Sequence, residues 1–113
     1  MSKHLEKSTD VTVRLMQEMK EALSLIYGDN LRGLYLYGSR ARQEGVPESD
    51  VDVLIVLKNF EDYWEEIQRT SHIISGLSLK YDVAISPVRL READWLEGDS
   101  PFLKAIRSES VPA

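Results

Sequence analysis

At 113 residues and without a long linker, the chain has room for one domain and one core, burying about two-thirds of its unfolded surface. Its net charge of -5, with acids spread along the chain, opposes nucleic-acid phosphates and argues against DNA or RNA as a direct partner. Cysteine is absent, the N-terminus lacks the apolar core of a signal peptide, and the longest apolar run, Val53 to Leu57, is too short to cross a bilayer. These features exclude disulfides and thiolate metal sites, and lead to the expectation of one cytoplasmic domain over residues 1–113 that does not contact a membrane.

In chain order, the capping residues Ser8, Thr9 and Asp10 precede a predicted helix to about Tyr27, with Leu15, Met16, Met19, Leu23 and Ile26 on one side. Gly28-Asp29-Asn30 stops it. A strand is expected from Leu31 to Tyr37, followed by a Gly38-Ser39 turn into a short helical stretch, Arg40-Ala41-Arg42. A polar connection containing Gly45 and Pro47 leads to a second strand, Val51 to Leu57, whose β-branched apolar run predicts burial. Asn59 is the expected cap of a second helix, in which Phe60, Tyr63, Trp64, Ile67, Ile74 and Leu77 fall at helical spacing and are read as core. His72, without a second ligand-type residue at suitable spacing, reads as a surface or boundary residue.

A third strand is predicted over Lys80 to Ser86, ended by Pro87, with Tyr81, Val83 and Ile85 on one side and Asp82, Ala84 and Ser86 on the other. Glu92 to Leu96 reads as a short helix or turn. Ser100 and Pro101 then start a helix whose Phe102, Leu103 and Ile106 pack on the sheet, and residues 107–113 are expected to form a loose tail.

The chemistry concentrates between Gly38 and Asp52. Side chains alternate along a strand, so Asp50 and Asp52 project from one face and repel each other unless a divalent cation with oxygen preference, such as Mg²⁺, neutralises both. The Gly38-Ser39 turn offers backbone N–H groups and a hydroxyl to an anion. A phosphate cradle beside a metal grip suggests a nucleoside-triphosphate site. Arg40 and Arg42 are either solvated charges or contacts for triphosphate oxygens or a partner protein. Asp82 is either a solvated residue near a strand end or a further carboxylate of the site.

The spacing Gly38-Ser39, ten residues, Asp50-x-Asp52 resembles the signature of the DNA polymerase β-type nucleotidyltransferase superfamily. The opening Gly-Ser-Arg-Ala-Arg and the close Pro47-x-Ser49-Asp50-x-Asp52 are similar to its smallest members, the minimal nucleotidyltransferases that act as antitoxins beside HEPN-domain toxins. One departure is Gln43, where the family more often has glycine. The resemblance implies an α/β fold, a small mixed sheet of three or four strands with helices packed against it and the active site at one sheet edge. It also implies ATP as substrate, held by Gly38, Ser39, Arg40 and Ser49, with one or two Mg²⁺ on Asp50 and Asp52. Asp82 is implied as the third catalytic and metal-binding carboxylate, orienting and deprotonating the attacking hydroxyl. The implied acceptor is a tyrosine of a HEPN toxin, silenced by AMP in a type VII-like toxin–antitoxin pair. The alternatives are an antitoxin that acts by covering alone and, with less support because the usual drug-holding domain is missing, an antibiotic nucleotidyltransferase.

Overall fold

The structure, a computed structural model, describes residues 3–42 and 49–113, with side chains from residue 11 onward. Expectations about Gln43, Gly45 and Pro47 fall outside the described residues. The elements are helix α1 (Lys3–Tyr27), a 3-10 turn (Gly28–Asn30), β1 (Leu31–Tyr37), β2 (Val51–Leu57), α2 (Tyr63–Tyr81), β3 (Ile85–Arg91), α3 (Glu92–Glu97), α4 (Pro101–Glu109) and β4 (Val111–Pro112). The four strands form one mixed sheet in the order β3-β2-β1-β4. Strand β1 is antiparallel to both β2 and β4, whereas β2 and β3 run parallel. This is the small mixed sheet with helices that the sequence suggested.

Alternation along β2 divides the core in two. Val51, Val53, Ile55 and Leu57 face α1 and α2, where they meet Leu15, Met16, Met19, Leu23, Ile73 and Leu77. Leu54 and Val56 face the other way, onto Trp95 of α3 and Leu103 and Ile106 of α4. Asp52 shares that second face by period-two spacing, so the strand turns from apolar to acidic within two residues.

Several boundaries differ from expectation, each for a local physical reason. Helix α1 begins at Lys3, which puts Ser8, Thr9 and Asp10 inside the helix rather than at its start. Asn59 does not cap α2. It exchanges hydrogen bonds with Asn30 across the loop, and Asp62 caps instead, accepting from the Trp64 N–H at 2.9 Å. Tyr63 and Trp64 are exposed at the head of α2 rather than in the core, whereas Trp95 is buried.

The third strand is shifted downstream. Residues Lys80 and Tyr81 finish α2, and Asp82 is its C-cap in left-handed conformation (φ 54°), its N–H donating to the Ser78 carbonyl. The strand then starts at Ile85 and runs through Pro87. Proline is tolerated because β3 is an edge strand. Arg89, two residues on, sends its N–H outward to the Tyr63 hydroxyl at 3.1 Å, so the proline nitrogen faces the same unpaired side. The tail is not loose: Val111 and Pro112 pair with Leu36 and Tyr35, and the Ala113 N–H donates to the Leu34 carbonyl at 2.8 Å.

Candidate active site

The site lies where β1 ends and β2 begins, two central strands of the sheet, and so at strand ends rather than at a lateral edge. Tyr37, the last residue of β1, is in register with Asp52. Gly38 follows with φ +77°, a conformation L side chains rarely adopt. A Cβ built there would come 2.3 Å from Asp52 Oδ2, so the space beside the Gly38 backbone belongs to the aspartate. The Gly38 carbonyl accepts from the N–H groups of Ala41 (3.1 Å) and Arg42 (3.2 Å), which curls the chain into a turn with half-buried Ser39 in it.

Across the turn, Asp50 and Asp52 stand as neighbouring carboxylates. Asp50 is exposed and accepts from the Ser86 hydroxyl at 3.3 Å, while Ser86 is the β3 partner of Asp52 in the parallel ladder. Asp52 is half-buried, and its pKa is pushed up first by burial and then by the charges of Asp50 and Glu109. Tyr37 is likewise pushed up, first by burial and next by Asp52. Burial and two neighbouring acids thus both disfavour the ionised form of Asp52.

Arg40 is buried and turned inward. Its Nε and Nη2 donate to the Ser49 carbonyl at 3.0 and 2.7 Å, and its Nη1 donates to Thr12 Oγ1 at 3.0 Å. Burial lowers its pKa and the nearby Asp50 opposes that shift, so the guanidinium ties α1, the turn and the residue before Asp50 together. Of the residues singled out from sequence, Gly38, Ser39, Arg40, Ser49, Asp50 and Asp52 thus converge. Asp82 does not: it is exposed at the C-cap of α2, and no group of three or more acidic or histidine side chains suited to a metal is found among the described residues.

Two contributors were not anticipated. Glu109, the last residue of α4, accepts from the Gly38 N–H (3.2 Å) and from Arg42 Nη1 (2.6 Å). The bond from Arg42, then that from Gly38, lowers its pKa. Nothing local in the sequence marks this acid, because it reaches the site only through the packing of α4. Ser86 was visible as a strand residue, and placing the strand five residues too early concealed its role as the neighbour of the acid pair.

The nucleotidyltransferase domain family matches residues 16–109. The chain belongs to that family. It is 42% identical, over 67% of its length and 76% of the relative's, to the Methanocaldococcus jannaschii protein named "Putative protein adenylyltransferase MJ0141". In fold it resembles a structure described as a "putative nucleotidyltransferase" from Sulfolobus solfataricus, with TM-score 0.73, 22% identity, and coverage of 99% of this chain and 87% of that one. It also resembles a chain of the toxin–antitoxin complex MntA-HpeT, with TM-score 0.57, 18% identity, and coverage of 86% and 70%. At these identities the structural likeness shows the fold, and the enzyme class rests on the family and the archaeal relative.

Proposed function

We propose that this nucleotidyltransferase moves AMP from ATP to a hydroxyl of a partner protein, a tyrosine of a HEPN-domain toxin, and acts as that toxin's antitoxin. The observation that carries the reading is the contact between Asp52 and the Gly38 backbone, which puts a carboxylate pair beside an anion-accepting turn. The archaeal protein adenylyltransferase and the toxin–antitoxin fold support the choice of donor and acceptor.

The donor set fits Mg²⁺. Asp50 and Asp52 offer only oxygen, and the upward pKa shift of Asp52 marks charge that a hard divalent cation would relieve. When bound, that ion would supply electrostatic stabilisation of the α-phosphate and of departing diphosphate. The chain's own residues do the rest. The Gly38 N–H and Ser39 hydroxyl orient the triphosphate, and Arg40 holds the turn against the start of β2 through Ser49. In the transfer, the acceptor oxygen bonds to the α-phosphorus, the α–β bridging P–O bond breaks and diphosphate departs, and the hydroxyl proton passes to solvent water. The placement of Asp82 gives it no part in this proposal.

The test is to purify the chain with its HEPN partner and follow the partner's mass with ATP and Mg²⁺. A gain of AMP on the partner, lost with Asp50→Asn, is the expected result. Neutralisation that survives Asp50→Asn without any mass gain would establish inhibition by covering instead.

A further inference from the structure

We infer that Glu109 is a built-in competitor for the triphosphate: its carboxylate occupies the anion position of the Gly38 turn, and nucleotide binds only by displacing it. This rests on the nucleotide-site reading above and specifies how that site is regulated. One carboxylate oxygen takes the Gly38 N–H and the other takes Arg42, a main-chain donor and a guanidinium that together suit two oxygens of a phosphate. A phosphate oxygen and Glu109 cannot share that single N–H with good geometry.

The anchor and the moving part are separable. Helix α4 is fixed by buried Leu103 and Ile106, by Arg107 donating to the Trp95 carbonyl at 2.7 Å, and by the Ser110 N–H on the Ile106 carbonyl at 2.8 Å. The Glu109 side chain, 27% exposed, extends from that fixed backbone and leaves the turn by rotation about its own bonds. Its charge also lies close enough to bear on Asp52, adding to that of Asp50. Displacement by an anion alone must overcome both the two hydrogen bonds and that negative field. A phosphate chain that arrives with a cation meets less opposition, and Glu109 thereby selects metal-bound triphosphate over free phosphates.

The experiment measures equilibrium binding of inorganic tripolyphosphate, without and with Mg²⁺, to the wild-type chain, Glu109→Gln, Glu109→Ala and the exposed control Glu97→Gln. Without metal, both position-109 variants should bind about tenfold more tightly, as expected for loss of a charged competitor, with Glu97→Gln within about twofold of wild type. Unchanged or weaker binding in both variants overturns the proposal. The isosteric glutamine keeps the test valid should alanine unfold the end of α4. AMP transfer to the partner, assayed in parallel, separates the two readings. Transfer by wild type with unaltered tripolyphosphate binding in the variants removes the competitor alone. Tighter binding in the variants with no transfer by any protein removes the transfer reading alone.

Discussion

The two faces of the sheet are built to different ends. Against α1 and α2, β2 presents an unbroken apolar series, Val51, Val53, Ile55 and Leu57, all fully buried. Against α3 and α4 the same strand presents only Leu54 and Val56 before it reaches Asp52 and Asp50. The long face secures the sheet, and the short face leaves one end of the strands open to solvent and charge. The half-buried carboxylate of Asp52, whose pKa burial and neighbouring acids push up, is tolerated because the far face carries the stability.

The comparison predicts separable losses. The largest effect should come from Asp50→Asn or Asp52→Asn, which should lower AMP transfer by about 10²–10³-fold, the scale for losing a principal electrostatic group, with a folded circular-dichroism spectrum retained. An equal loss of folding would show that the acidic end also holds the sheet. Next, Ile55→Ala on the long face and Leu54→Ala on the short one should each cost about 2–5 kcal/mol in urea unfolding. A clearly smaller cost for Leu54 would show that α3 and α4 close over the gap. Gly38→Ala should destabilise by about 1–3 kcal/mol and impair transfer, because φ is positive and the methyl group would strike the Asp52 carboxylate.

The smallest effects concern pH. The pKa of folded Asp52 is raised above its unfolded value, so its ionised form opposes folding above that raised pKa. The penalty is relieved as pH falls through the raised value toward the ordinary aspartate pKa. Metal-free Asp52→Asn should therefore melt about 1–4 °C higher than wild type at neutral pH, a small gain because the group is partly screened by solvent. Mg²⁺ should raise the melting temperature of wild type and not of this variant. In wild type that Mg²⁺ stabilisation should fade with acidification at a pH above the usual aspartate range. Glu109 has the opposite sign. Its pKa is lowered by Arg42 and then by Gly38, so its contribution is present above the ordinary glutamate pKa and is lost as pH falls through the lowered value.

Where a signal was local, it was legible. Strands β1 and β2 fall on the predicted residues, because a β-branched apolar run bounded by turn residues has few other ways to bury itself. The spacing from Gly38 to Asp52 forecast which residues would meet, and Gly38 does lie against Asp52. The misplacement of β3 shows the limit. Lys80 to Ser86 alternates as a strand should, yet Lys80 and Tyr81 continue α2, with Tyr81 packed against the α1/α2 core and its hydroxyl bonded to Glu18. Pro87, read from the sequence as the end of the strand, lies within it because β3 is an edge strand whose outer side needs no ladder donor.

The amino-acid order alone thus determined the family, the two central strands and the meeting of a glycine turn with an acid pair, because each depends on residues within about one strand and its turn. Only the tertiary structure decided that Asp82 caps a helix, that Arg40 points inward, that Ser86 stands beside the acids and that Glu109 reaches Gly38 from 71 positions away. Those arrangements depend on how distant elements pack. Packing is settled by the shapes and burial of whole faces, which no short stretch of sequence contains.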